Sequence, residues 1–95
     1  MCYGLIKLIK KYLSLLNDVE QVYLFGSVLA LNKIPSDIDV LIIYSEYSNT
    51  IQMQIKEFEK RLESESGLPI DLTILSFEEE HQVGFLGKVN AIRLK

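Results

Sequence analysis

Apolar residues recur along the first part of the chain at two different periods. Over residues 3–17 they repeat at helical spacing and predict an amphipathic helix whose apolar face is formed by Leu5, Ile9, Tyr12 or Leu13, and Leu16. The period then changes, because Val19–Phe25 is rich in β-branched and aromatic residues and stops at Gly26, as a buried strand does. A short helical turn over residues 27–32, which Ser27 can cap, is expected to follow before Pro35 blocks any continuation.

The middle of the chain predicts a strand followed by a long helix. Residues Ile38–Tyr44 are nearly all apolar, so we expect a strand that is covered on both faces. A polar loop over residues 45–49 precedes a helix that ends at Gly67 and Pro69, the usual order for a helix C-terminus. The apolar face of this helix is predicted to consist of Ile51, Ile55, Phe58 and Leu62.

The last part of the chain contains one clear strand and one ambiguous segment. Ile70–Leu75 predicts a third strand, after which Ser76 and Glu79 form a capping box that begins a last helix. Beyond Gln82, two glycines weaken a helix while apolar residues persist, so this tail either completes the core or forms an interface with another chain. The order of elements predicts an α/β (α+β) fold, with a small mixed β-sheet of three or four strands flanked by helices.

Length and composition narrow the class of protein. At 95 residues, 48% of them hydrophobic and 24% charged, the chain is expected to form a single globular domain over residues 1–95. A net charge of -3 disfavours nucleic acid as the main partner, and the cluster of lysines on the first helix is interpreted as a solvated face. No apolar run reaches membrane-spanning length, and the single cysteine, Cys2, fits a reducing cytoplasm.

Three carboxylates are the strongest chemical signal in the sequence. Side chains alternate across a strand, so Asp37 and Asp39 project from one face while Ile38 points to the other. Asp71 is the second residue of the third predicted strand, between two apolar neighbours. If that strand lies beside the second, the three carboxylates share one patch of sheet, enough to hold two Mg²⁺ ions about 3.5–4 Å apart. The alternative is that each aspartate merely starts a strand at a solvated edge.

Gly26 and Ser27 supply a complementary signal. A strand that ends in glycine and turns into a helix leaves backbone N–H groups for phosphate oxygens, and the glycine lets the backbone come close. Taken alone, the pair indicates only a turn with a helix cap. The order strand, Gly-Ser, Asp-Ile-Asp-strand, helix, Asp-strand is much more specific.

In this order the residues resemble the nucleotidyltransferase superfamily that includes DNA polymerase beta, and within it the minimal nucleotidyltransferases. The match covers residues 20–76 and rests on Leu24-Phe25-Gly26-Ser27, Asp37-Ile38-Asp39 and Pro69-Ile70-Asp71. The resemblance implies the nucleotidyltransferase fold, ATP or another nucleoside triphosphate as substrate, and a cofactor of two Mg²⁺ ions.

The resemblance also implies roles for single residues. Gly26 and Ser27 would hold the triphosphate, Asp37 and Asp39 would bind both metals, and Asp71 would help to activate the attacking hydroxyl. One departure concerns the short helix, where minimal nucleotidyltransferases commonly carry arginine and then glycine. This chain reads Val28-Leu29-Ala30-Leu31, so Lys33 is the first cation that could assist the metals or a partner in neutralising the triphosphate.

Two functions follow from this resemblance. The first is a Mg²⁺-dependent transferase that moves AMP from ATP to a hydroxyl of a partner protein, because the resemblance is to antitoxins whose partner is a helical HEPN-type ribonuclease toxin. The second is a catalytically weak binding module that neutralises or scaffolds a partner by contact, with the C-terminal apolar segment as a possible route to a homo-oligomer. Transfer to a small molecule is disfavoured, because the chain is too short to enclose such an acceptor.

Other residues carry weaker signals. His81 follows Glu78-Glu79-Glu80, but acidic residues in a first helical turn are explained by the helix dipole rather than by a metal site. Tyr44 and Tyr47 could stack on a nucleobase, although tyrosines at this position more often lie at the margin of a sheet.

Overall fold

The computed structural model describes residues 3–29 and 35–95, and within them the chain alternates helices and strands. The helices are α1 (Tyr3–Tyr12), α2 (Asn49–Ser66) and α3 (Phe77–Val83), and the strands are β1 (Gln21–Phe25), β2 (Ile38–Tyr44), β3 (Ile70–Ser76) and β4 (Ala91–Arg93). Short 3₁₀ turns span Leu13–Leu15, Gly26–Leu29 and Phe85–Gly87. The predicted bounds of the second strand agree with the structure at both ends.

The four strands form one mixed sheet in the order β3-β2-β1-β4. β1 pairs antiparallel with β2 and with β4, whereas β2 and β3 are parallel and are joined by α2. Parallel neighbours need a crossover connection, and α2 provides it on one face of the sheet. The predicted fold class is therefore confirmed, with four strands.

The core lies between this face of the sheet and helices α1 and α2. α2 buries the four residues predicted from its periodicity, Ile51, Ile55, Phe58 and Leu62. Its ends are set by Ser48, whose hydroxyl accepts a hydrogen bond from the Ile51 N–H at 3.1 Å, and by Gly67, which has φ +70°. The predicted loop before this helix is one residue shorter in the structure, because Asn49 is already helical.

α1 differs more from the prediction. The α-helix ends at Tyr12 and continues as a 3₁₀ turn, and Ile6 is buried while Leu5 only packs against the margin of the core. The buried face of α1 therefore starts at Ile6 rather than at Leu5. β1 begins at Gln21, two residues later than predicted, although Val19 before it is buried.

The second face of the sheet is also covered. Leu41 and Ile43 alternate with the core-facing residues of β2 and are buried, as predicted for a strand with two covered faces. On this side the ring of Phe85 packs edge-on against Phe25, with centroids 5.1 Å apart.

The C-terminal tail joins the sheet. β4 adds to β1, and Ile92 packs against the core, so this part of the tail completes the fold. The capping box of α3 is present as predicted: the Ser76 hydroxyl accepts from the Glu79 N–H, and the Glu79 carboxylate accepts from the Ser76 N–H. None of the helices in the described residues is long and apolar enough to cross a membrane.

Candidate active site

The three predicted carboxylates meet at one end of the parallel strand pair. Asp39 and Asp71 are each the second residue of their strand and lie directly opposite each other in the β2–β3 register. Asp37 lies in a bend just before β2 rather than on the strand face that the alternation of side chains predicted, yet its carboxylate joins the other two. One carboxylate oxygen from each of the three lies within 4.8 Å of the others, and no other group of this kind occurs in the described part of the chain. The third strand thus lies beside the second, which is the condition for the three carboxylates to share one patch of sheet.

Burial and charge act together on the central carboxylate. Asp37 and Asp39 are half-buried, and Asp71 is exposed. Burial, followed by the charges of Asp37 and Asp71 and a hydrogen bond with Asp71, raises the pKa of Asp39 to about 6. The raised pKa means that the surroundings of Asp39 destabilise the negatively charged form of its carboxylate. A divalent cation would offset this repulsion, and an all-carboxylate donor set is the type that Mg²⁺ prefers, so these residues fit such an ion.

Gly26 lies against this cluster. Its φ is +79°, and a Cβ atom placed on it would come within 2.1 Å of Oδ2, 3.0 Å of Cγ and 3.3 Å of Cβ of Asp39. The shortest of these contacts is with the end of the carboxylate, so a Cβ atom at this position would force the Asp39 side chain to shift. The close approach of a phosphate that the sequence predicts for this glycine stays a prediction, and the structure shows in addition that the glycine makes room for Asp39. No signal in the sequence pointed to this contact, because the two residues meet only through the β1–β2 pairing.

The remaining predicted residues are placed as follows. The backbone of Ser27 belongs to the 3₁₀ turn that begins at Gly26, next to the carboxylates. Lys33, predicted to assist in neutralising the triphosphate, lies outside the described residues.

The two tyrosines lie at the other end of β2. Tyr44 and Tyr47 form an edge-to-face pair with centroids 5.4 Å apart. Tyr44 is five residues from Asp39 along the strand, a distance of about 16 Å at the strand rise. The pair therefore lies at the margin of the sheet away from the carboxylates, the placement favoured from the sequence, and stacking on a nucleobase stays a prediction.

His81 is exposed on α3 and belongs to no metal-ligating cluster in the part of the chain that the structure describes.

Comparison with known proteins defines the class of this chain. The family of polymerase beta nucleotidyltransferases matches residues 7–88, so the chain belongs to this family. No curated protein matches the chain at a significant level.

Solved structures share the fold. A complex of tri-AMPylated HEPN toxin with MNT antitoxin from Shewanella oneidensis gives a TM-score of 0.57 at 19% identity, covering 98% of this chain and 70% of the other. A mutant toxin–antitoxin complex, MntA–HpeT, gives 0.59 at 18% identity, with coverages of 96% and 72%. A candidate nucleotidyltransferase from Sulfolobus solfataricus gives 0.54 at 21% identity, with coverages of 95% and 76%. At these identities the likeness shows the fold.

Proposed function

We propose that this chain is a Mg²⁺-dependent nucleotidyltransferase that transfers AMP from ATP to a hydroxyl group of a HEPN-type protein partner, as the antitoxin of a toxin–antitoxin pair. The observation that carries the proposal is the convergence of Asp37, Asp39 and Asp71 within 4.8 Å beside the Gly26 turn. Family membership supports the reaction class. The acceptor is suggested by the similar Shewanella oneidensis structure, in which a tri-AMPylated HEPN toxin is in complex with an MNT antitoxin.

Each of these residues has a separate role in an in-line displacement. The acceptor oxygen attacks the α-phosphorus of ATP, the bond from that phosphorus to the bridging oxygen breaks, and pyrophosphate leaves. Asp71, the most exposed of the three carboxylates, takes the proton of the attacking hydroxyl. The backbone N–H groups of the 3₁₀ turn at Gly26 and Ser27 bind the triphosphate oxygens, and Lys33 adds positive charge.

Asp37, Asp39 and Asp71 would hold the Mg²⁺ ions. When bound, these ions supply charge stabilisation for the attacking and leaving oxygens. Asp39 takes part as the ionised carboxylate, so its raised pKa predicts weaker metal binding below about pH 6.

The test is transfer of label. The chain is incubated with its HEPN-type partner, Mg²⁺ and ATP labelled at the α-phosphate, and the label should appear on the partner. Asp39→Asn and Asp71→Asn should each abolish labelling. Glu46→Gln removes an exposed carboxylate just beyond the other end of β2 and should leave labelling unchanged. A stable complex with the partner that takes up no label would refute the transferase.

A second candidate is a binding module that acts on a partner by contact alone. Two apolar side chains of α3, Phe77 and Val83, are 43% and 47% exposed and offer a contact surface. The apolar sequence after Ser27, where minimal nucleotidyltransferases commonly carry arginine, also favours this candidate. Calorimetry distinguishes the two candidates. The binding module is favoured if the native chain does not bind ATP and if the partner still binds after Asp37, Asp39 and Asp71 are all replaced by Asn.

A further inference from the structure

A concave surface lies on the β1–β4 side of the carboxylates. It encloses about 430 Å³ and is lined by Phe25, Gly26, Leu29, Val89 and Asn90. This volume is within the range of small-molecule sites, and the composition is that of such a site, with apolar walls and one convergent polar group. None of the side chains described along this cavity is charged.

We propose that this cavity binds the nucleobase of the nucleoside triphosphate, an inference that rests on the function proposed above. The position of the cavity relative to the carboxylates and the chemistry of its walls both support this assignment.

The position follows from the register of the sheet. Asp71, Asp39, Phe25 and Ala91 are successive Cα partners in one row that crosses all four strands. Neighbouring strands lie about 4.8 Å apart, so Phe25 is one strand spacing from Asp39 and two from Asp71. In a nucleotide the ribose separates the base from the α-phosphate. For a triphosphate held at Gly26 and the carboxylates, the cavity beside Phe25 and the start of β4 is therefore within reach of the base.

The walls suit an aromatic heterocycle. Phe25 is held by the edge-on ring of Phe85, and Leu29 and Val89 add aliphatic surface for the faces of a base. The amide of Asn90 carries both donors and an acceptor, which can pair with the polar edge of a base. The uncharged lining disfavours a further phosphate or a metal ion as the occupant, because either would require compensating charge.

The experiment compares ATP with inorganic tripolyphosphate, both with Mg²⁺, by titration calorimetry of the full chain. The tripolyphosphate reports the phosphate and metal site without a base. Val89→Trp fills the cavity and should weaken ATP binding by about tenfold or more, while tripolyphosphate binding changes by less than about twofold. Asn90→Ala is an exposed change with little risk to folding, and it should alter the affinity ratio between ATP and the other nucleoside triphosphates.

Met53→Trp is the matched control, since Met53 is exposed on α2 and does not line the cavity. It should leave both affinities unchanged.

The outcomes separate the two proposals. If tripolyphosphate binds and depends on Asp37, but the ratio of ATP to tripolyphosphate affinity is unchanged in Val89→Trp and Asn90→Ala, the base site is refuted and the proposed function stands. If the cavity variants weaken ATP selectively while no AMP reaches the partner, the base site is supported and the transferase is not. If neither ligand binds the native chain, both proposals fail.

Discussion

Gly26 combines two constraints that no other residue type satisfies. Its backbone has a positive φ, and its Cα faces the side chain of Asp39 with no space for a Cβ atom. Gly67 has nearly the same φ, +70°, but nothing lies within 4 Å of its Cβ position. The two glycines therefore form a natural pair in which backbone strain can be separated from contact with the carboxylate.

Replacing each glycine by alanine should have different costs. Gly67→Ala should lower the free energy of unfolding by about 1 kcal/mol, the cost of a left-handed non-glycine residue. Gly26→Ala should lower the free energy of unfolding by the same amount and by about 1–3 kcal/mol more, because the added methyl group overpacks against Asp39. Urea unfolding of both variants measures the difference. In an Asp39→Ala background the extra cost should disappear; equal costs in the native background would show that the contact is unimportant.

The raised pKa of Asp39 predicts a pH dependence of stability in the metal-free protein. The folded state holds this proton more tightly than the unfolded chain does, so between the ordinary value of 3.8 and about 6 the folded state binds more protons. The contribution of Asp39 to the free energy of unfolding should therefore fall as pH rises through this window and be constant above it. Physically, ionisation places a third negative charge in the cluster.

The measurement is urea unfolding in EDTA at pH 4, 5, 6 and 7. The difference in free energy of unfolding between Asp39→Asn and the native chain should grow in favour of the variant across this range. Glu46→Gln, with its carboxylate in an exposed loop, should follow the native curve. A difference that does not vary with pH would contradict the assignment of the shift to Asp39.

At the scale of elements, α2 determines where Asp71 lies. This helix connects two parallel strands, so its length and its two ends set the point at which β3 starts beside β2. Ser48 caps its first turn, and the N–H of Gly67 closes its last turn on the Glu63 carbonyl at 2.9 Å. Because Pro69 then accepts a hydrogen bond from the Ile38 N–H at 2.9 Å, the helix end leads directly into the register that pairs Asp39 with Asp71.

Loss of the α2 cap should destabilise the whole chain. Ser48→Ala removes the acceptor of the Ile51 N–H and should lower the free energy of unfolding by about 1 kcal/mol. Ser48→Asp keeps an acceptor at the same position and should be nearly neutral. Thermal unfolding followed by circular dichroism compares the three proteins, and an alanine variant as stable as the aspartate variant would argue against the cap.

At the scale of the molecule, stability is concentrated on one side of the sheet. The side chains of α1 and α2 pack there, and Phe58 is fully buried near the middle of α2. The carboxylates belong to the other side, at the start of β2 and β3. Substitutions in the core should therefore lower stability, whereas substitutions in the site should lower activity.

Phe58→Ala should lower the free energy of unfolding by about 3–5 kcal/mol, because it leaves a cavity in the core. Against a total of about 5–15 kcal/mol for small domains, this is a large fraction of the stability. Met53→Ala changes a side chain of the same helix that is 71% exposed, and it should shift stability by no more than about 0.5 kcal/mol. Urea titration of both variants checks the contrast; similar losses would mean that α2 does not anchor the core.

The sequence alone determined the features that depend on near neighbours. The period of apolar residues predicted the buried face of α2 and both ends of β2. These predictions succeed because helix and strand geometry fixes side-chain direction within a few residues. The capping box at Ser76 is local in the same way.

Only the tertiary structure decided which distant residues meet. It placed Asp71 directly opposite Asp39, assigned the ambiguous tail to β4 beside β1, and brought Gly26 against the Asp39 side chain. Each of these contacts joins residues separated along the chain, and strand order and register are set by the packing of the whole sheet rather than by any local period. The sequence therefore identified the carboxylates, while the pairing of strands made them a cluster.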